Sequence, residues 1–283
     1  MCDEANCSGI KISECSFCAK SLCGAHRAMT AAGNSMHVCH KCQLGFTTAF
    51  SQAVPRQLAA QHASWVAQGR PPQFASPVDI NLWRATFPAV PALLAGCPVI
   101  RCSNGRSWTM IDRLHATSIG TAAHISPNNA SDAHLVSMMW GFGKAGYGPF
   151  RTNNHLLTLN APLSLQAAAQ LIQSQGIIPT FNEFVPRHSR LRLNGLGSAF
   201  STKDLFFFSN VPNRHRALVF DSIVSKWLLV NLGVRIIGGT ESSIDYGRYL
   251  YAMYSWAADL GETPEDTEVV LFGWVPNRRW NPR

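Results

Sequence analysis

Residues 190–209 read RLRLNGLGSAFSTKDLFFFS. Within them Leu193–Asn194–Gly195–Leu196–Gly197 has the apolar–x–Gly–apolar–Gly pattern of a hairpin between two helices. Its glycines permit a tight turn and let backbone N–H groups approach a phosphate closely. From about Ser198 onward the residues read as a helix. Phe200, Lys203 and Phe207 fall on one face of it, with Ala199 one turn behind the lysine. A lysine on so apolar a helix is costly unless it is paired or used. Desolvation lowers the pKa of such an amine and exposes its neutral, nucleophilic form. The competing reading is a lysine that snorkels to solvent or pairs with a local acid, and residue type alone favours that one.

The flanking residues narrow the choice. Arg187, His188, Arg190 and Arg192 precede the hairpin, where they are placed to neutralise a nucleic-acid backbone together with Gly195 and Gly197. Eighteen residues beyond the lysine, LVFDSIVSKW places Asp221 at a helix start after an apolar run. Its ordinary role there is an N-cap. Capping also holds a carboxylate fixed, charged and partly buried, which suits a group that must stabilise an oxocarbenium-like transition state.

The chain has 283 residues, 46% of them hydrophobic and only 14% charged, enough to bury a sizeable core. Its formal net charge of +8 favours polyanionic partners. Between Cys15 and Asn182 the only acids are Asp79, Asp112 and Asp132. The N-terminal MCDEANCSGI is acidic and has no apolar signal core, and no window has the length of apolar residues that a membrane span needs. A cytoplasmic, soluble protein is expected. Helical patterns dominate from about Pro77: PLSLQAAAQLIQSQG stops at Gly176, DSIVSKWLLVNLG runs from the Asp221 cap to Gly233, SIDYGRYLYAMYSWAADLG runs from Ser242 or Ser243 to Gly261, and TPEDTEVVLFGW starts at Thr263. Only CPVIRCS and VRIIGG look strand-like, so the fold class is mainly α.

Seven of the nine cysteines precede position 43. The spacing Cys15-x2-Cys18-x4-Cys23-x2-His26, then Cys39-x2-Cys42, suits tetrahedral zinc, and so short a segment cannot fold around a core of its own. Cys2 and Cys7 complete eight ligands. An interleaved pairing is expected, with Cys2, Cys7, Cys23 and His26 on one structural zinc and Cys15, Cys18, Cys39 and Cys42 on the other. His37 in place of Cys42, or a single zinc with spare thiols, are the alternatives. Cys97 and Cys102 are expected to be ordinary thiols. The division that follows is a zinc-binding module at 1–45, a helical linker at 46–76 (FTTAFSQAVPRQLAAQHASWVAQG and the Pro-rich turn after it) and a main domain at 77–283.

The stretches MMWGFGKAGYGPFRT (138–152), LNGLGSAFSTKDLFFF (193–208), ALVFDSIVSKWL (217–228) and YGRYLYAMYSWAADLG (246–261) resemble the helix-hairpin-helix DNA glycosylases of the 8-oxoguanine DNA glycosylase fold, and in particular a bacterial group with that fold. The likeness covers residue 77 onward and excludes the cysteine-rich segment, which is similar to cross-brace zinc fingers. It implies DNA as partner, a flipped-out base, and cleavage of its N-glycosidic bond with Lys203 as nucleophile and Asp221 as the charge-stabilising carboxylate. In the eukaryotic members the lysine stands two positions after the second hairpin glycine, which here is Ala199. If Lys203 does not attack, Asp221 activating a water is the other route. Tyr147, Arg151 and Trp256 are the residues expected to face the base. The substrate is expected to be an oxidised base, or a modified base of invading phage DNA. A catalytically inactive DNA-binding adaptor, docking a protein partner through its zinc module, is the competing function.

Overall fold

The computed structural model describes residues 53–73, 75–103, 105–212, 214–236 and 242–272, together with the backbone of four short strands nearer the N-terminus. Those strands are β1 (Ser13–Glu14), β2 (Ser21–Leu22), β3 (Arg27–Met29) and β4 (His37–Cys39). β1 pairs antiparallel with β2, and β3 with β4, in a register that sets Arg27 opposite Cys39 and Met29 opposite His37. Of the expected zinc ligands, Cys39 lies on β4. Cys2, Cys7, Cys15, Cys18, Cys23, His26 and Cys42 lie outside the described residues.

The main body is helical. In chain order it comprises α1 (Arg56–Ala67), strand β5 (Ser76–Val78), α2 (Ile80–Arg84), α3 (Val90–Leu93), strands β6 (Val99–Arg101) and β7 (Ser107–Ile111), α4 (Arg113–Gly120), α5 (Pro127–Phe142), α6 (Gly148–Leu156), α7 (Ala161–Gln175), α8 (Ile177–Phe184), α9 (Ser198–Phe208), α10 (Ser222–Leu232), α11 (Ser243–Leu260) and α12 (Pro264–Leu271). Helix ends follow local chemistry. Asp79, Asp112, Ser126, Asp221, Ser242 and Thr263 each cap a helix through a side-chain oxygen. Gly233 and Gly261, both with positive φ, close α10 and α11.

α5 and α9 form the centre. Both are buried on nearly every face, which is why neither shows an amphipathic stripe in the sequence. α5 packs against α4, α7 and α9, and α9 in turn against α4. Three antiparallel strands in the order β5–β7–β6 lie beside this core. β6 was expected from CPVIRCS. β5 and β7 were not, and VRIIGG supplies no strand over Val234–Ile236.

The helix at 56–67 is a correction to the expected linker. Leu58 and Trp65 are buried within the main core, and α1 packs on α12. Gln61 accepts from the indole of Trp227 at 3.1 Å, and Glu262 binds both His62 at 2.9 Å and Arg70 at 3.0 Å. α1 is therefore part of the domain. Its Ala/Gln-rich composition hides this, because two large apolar residues suffice to anchor three turns. No helix among the described residues is long and apolar enough to cross a membrane.

Candidate active site

Lys203 and Asp221 come together. Lys203 sits mid-way along α9 and is 7% exposed. Helical side chains lean toward the N-terminus, and this one folds back a full turn to donate from Nζ to the Ala199 carbonyl at 3.1 Å. Its Nζ lies 3.7 Å from Asp221 Oδ2 and 5.0 Å from the centre of the Phe200 ring. Burial pushes the amine below the ordinary lysine range. Asp221 and Glu268 oppose that shift, and Arg113 adds to it.

Asp221 divides its carboxylate between two tasks. Oδ1 accepts from the amides of Ile223 at 2.8 Å and Val224 at 3.3 Å and so caps α10, while Oδ2 faces the lysine. The cap is thus what aims the second oxygen.

The segment leading into Asp221 is extended and buried, and its main chain is pinned residue by residue. Tyr254 donates to the carbonyl of Arg216, Tyr246 to Leu218 and Tyr249 to Val219. Burial holds all three phenols well above the usual tyrosine range, so they remain donors. The Val219 amide donates to Glu268 Oε1 at 2.6 Å, and the Phe220 amide donates to Thr202 Oγ1 at 3.0 Å. Thr202 precedes Lys203 and Phe220 precedes Asp221, so this bond fixes the two candidate residues against each other. Glu268 is itself fully buried and paired with Arg113, whose guanidinium lies over Phe206 at 4.7 Å and Trp140 at 5.4 Å.

Gly141 of α5 makes room for the lysine. A Cβ at that position would stand 2.8 Å from Lys203 Cδ and 3.0 Å from Phe200 Cε1. Gly141→Ala therefore has to displace the lysine stem, since the α5 backbone is fixed by packing on three helices. The expected result is a protein that still folds with the Lys203 amine displaced from Asp221 and, on the glycosylase function proposed below, base release slowed about tenfold or more, as a near-ångström misplacement of a reacting group would give. Single-turnover kinetics on the substrate that the wild type cleaves measures it.

The hairpin is as expected. Gly195 takes a positive φ of 75°, Leu193 and Leu196 are buried, and Gly195 and Gly197 are exposed. α9 has no side-chain cap at Gly197, and the Phe200 amide turns back to the Gly197 carbonyl at 2.9 Å. Two groups at the end of α6 meet the turn. Thr158 Oγ1 accepts from the Asn194 amide at 2.8 Å, and the His155 ring lies beside the turn, its Cδ2 3.9 Å from where a Cβ on Gly195 would stand. Arg187 is exposed, and Arg190 is exposed and bonded to Glu183 at 3.1 Å. Arg192 departs from the expectation of a free phosphate contact: it is half-buried and donates into the Val185 carbonyl, bracing the loop.

Of the three residues expected at the base, two lie on one surface. Tyr147 and Arg151 are exposed, the guanidinium 5.3 Å from the tyrosine ring centre. Tyr147 meets Phe142 edge-on at 5.5 Å, and Phe142 stacks on Phe200 at 4.2 Å. An aromatic file thus runs from the surface to Lys203. The expectation for Trp256 is overturned: it has no exposed surface and packs on Trp227, 6.3 Å between ring centres, as a core residue of α11.

His155 itself carries a prediction. Burial, His134, Arg151 and Arg192 lower its pKa to about 3, against the nearby Gly195 main chain, which raises it. A depressed histidine pKa means the unfolded chain binds the extra proton first. Stability from this group is therefore complete above about pH 6.5 and falls by about 1.4 kcal/mol per pH unit as the pH drops toward 3. Urea unfolding at pH 7 and pH 4.5 should show the loss, and His155→Gln should remove that part of it.

Residues 69–272 match the model of a family described as "Putative 8-oxoguanine DNA glycosylase OGG-like protein". The matched span takes in the hairpin, Lys203 and Asp221, and covers most of the chain. The chain belongs to this OGG-like family. No curated protein and no solved structure matches it.

Proposed function

We propose that this protein is a DNA glycosylase that flips a damaged or modified base out of the helix and cleaves its N-glycosidic bond, leaving an abasic site. The approach of Lys203 Nζ to Asp221 Oδ2 at 3.7 Å carries this reading, with family membership behind it. The one-turn shift of the lysine along α9 is offset by its fold-back, which delivers the amine to the level of Ala199.

In the proposed reaction the hairpin amides grip a phosphate beside the flipped nucleotide. Asp221 Oδ2 stabilises positive charge growing on the sugar. The neutral Lys203 amine attacks C1′, forming an N–C1′ bond while the glycosidic electron pair leaves with the base. Ring opening then sends the C1′–O4′ pair to O4′ and yields a Schiff base. The two protons lost from Nζ end on the departing base and on O4′, so the step balances. In the alternative route Asp221 Oδ2 takes a proton from water, whose oxygen bonds to C1′ as the C1′–N pair leaves with the base; the proton ends on the departing base, leaving a C1′ hydroxyl and Asp221 ionised again.

The substrate we propose is an oxidised guanine or a modified base of phage DNA. The largely uncharged aromatic file from Tyr147 to Phe200 supports a flat base over a charged ligand. We further propose that the N-terminal segment holds structural zinc through Cys2, Cys7, Cys15, Cys18, Cys23, His26, Cys39 and Cys42. Thiolate and imidazole donors in pairs suit that metal, and the β3–β4 register brings Cys39 opposite the residue that follows His26. Zinc there would supply folding energy only, and a docking surface for a protein partner is the further role we assign to that module.

Borohydride reduction during turnover of an abasic or modified duplex separates the two routes. The amine route predicts a covalent protein–DNA adduct that Lys203→Met abolishes. Base release without any adduct moves the nucleophile to water.

A further inference from the structure

The carboxylate of Glu268 is the centre of a set of contacts that the proposed reaction does not use. It stands on α12, far along the chain from Lys203 and Asp221, and has no exposed surface. Its Oε1 accepts from the Val219 amide at 2.6 Å. The Tyr249 hydroxyl, on α11, donates to the Val219 carbonyl at 3.0 Å and lies 3.2 Å from that same Oε1. Both main-chain polar groups of Val219 are thus held, two residues before Asp221. Oε2 pairs with the Arg113 guanidinium from α4. The segment through Val219 joins no sheet among the described residues, so its buried amide needs an acceptor from elsewhere. A neutral acceptor would serve, at a smaller desolvation cost. A buried ion pair is often no more stabilising than apolar residues of the same volume, so stability alone does not account for Glu268 and Arg113.

We propose that Glu268 and Tyr249 are positioning residues that set the Asp221 carboxylate against Lys203. This rests on the glycosylase reading above. Asp221 is held from both directions along the chain. After it, Oδ1 is fixed by the amides of Ile223 and Val224. Before it, Phe220 is fixed by Thr202, and Val219 by Glu268 and Tyr249. Freeing the Val219 end would let the segment slide, and the 3.7 Å approach of Asp221 Oδ2 to Lys203 Nζ would no longer be set. A carboxylate suits the task because two acceptor oxygens are needed at once, one for Val219 and one for Arg113. Arg113 keeps the group from turning, and is itself held over the Phe206 and Trp140 rings. Glu268 and Tyr249 therefore act through Asp221 and not on the substrate.

Tyr254 supplies the control. Its hydroxyl accepts from the Arg216 amide at 2.6 Å and donates to the Arg216 carbonyl at 2.8 Å, at the far end of the same segment. Tyr249→Phe and Tyr254→Phe remove the same atom from the same helix, and each should lower the melting temperature by about 2–4 °C. Single-turnover base release from a duplex that the wild type cleaves should fall about tenfold in Tyr249→Phe and stay within about twofold in Tyr254→Phe. Duplex Kd should be unchanged in both. Glu268→Gln keeps volume but offers one acceptor where two are needed. It should also slow release about tenfold, and it carries the test if Tyr249→Phe does not fold. Hydrogen exchange at the Ile223 and Val224 amides reads the hold on Asp221 without catalysis. It should speed up about tenfold in Tyr249→Phe and Glu268→Gln, and not in Tyr254→Phe. A merely structural role predicts rates that follow the melting temperature, alike in the two tyrosine variants. Equal release rates in those two variants, or a wild-type rate in Glu268→Gln if Tyr249→Phe is unfolded, overturn the proposal and leave the glycosylase reading intact. A wild-type protein that releases no base overturns the glycosylase reading instead, and the exchange contrast alone then decides whether Glu268 and Tyr249 place Asp221.

Discussion

Replacing Asp221 with asparagine is expected to abolish base release and leave the fold unchanged. Asparagine caps helices as well as aspartate does, so the bonds to the amides of Ile223 and Val224 survive and α10 stays anchored. What disappears is the charge on Oδ2, the atom facing Lys203 and, in the proposed complex, the sugar. Removing a pre-aligned electrostatic partner of a developing charge costs about 10²–10³ in rate, or ~3–4 kcal/mol. Single-turnover base release beside a thermal melt separates the two roles: the rate should collapse while the melting temperature holds within a degree or two, because the cap is kept. A variant that releases base at the wild-type rate removes Asp221 from the reaction. The alanine variant is a poorer test, since it loses the cap as well and so mixes about 1 kcal/mol of stability into the result.

The second large effect is on stability, and its direction is upward. Lys203→Met exchanges a buried amine for a flexible apolar chain of similar length, on a site lined by Phe200 and the bare backbone of Gly141. Burial lowers the lysine's pKa, which means the folded state disfavours its charged form. Removing that cost should stabilise the protein by about 1 kcal/mol or more, which in a domain of this size raises the melting temperature by roughly 2–4 °C per kcal/mol. Asp221 stays partly exposed and keeps its cap, so it is not stranded. The same variant should form no borohydride adduct. Gain in stability with loss of chemistry is the signature of a residue retained for function at the expense of the fold. A melting temperature several degrees lower would instead make Lys203 a structural ion-pair partner.

Those two residues could be singled out in the sequence because their signals are local. A cap follows an apolar run within a few positions, and a glycine hairpin announces the helix after it. The same holds for the Asn/Asp/Ser/Thr or proline starts of α7, α10, α11 and α12 and for the glycine stops of the first three, which are written into the chain. What surrounds the dyad was not legible, because it is assembled from distant positions. Glu268 meets Arg113 across 155 residues and His134 meets Asp204 across 70. A glutamate before the apolar run EVVLF reads as a first-turn acid unless one knows that this face of α12 is buried. Gly141 carries no signal at all: a glycine in a helix marks a close approach only once the approaching side chain is known. Trp256 shows the opposite error, since an aromatic in the resembling region reads equally well as pocket or core, and burial decided for core. The linker failed for a related reason. Two anchors, Leu58 and Trp65, decide where an otherwise polar helix lies, and periodicity over so few residues is weak.

The central claim is that this chain breaks N-glycosidic bonds, and free base is its most direct product. Purified full-length protein would be incubated with duplexes carrying 8-oxoguanine, uracil or an abasic site, and with hypermodified phage DNA, and the small-molecule fraction analysed by mass spectrometry. The account predicts release of a free base from at least one of these, lost in the folded Asp221→Asn variant. Binding to the duplexes without release of any base would contradict it and leave a DNA-binding adaptor with a glycosylase fold.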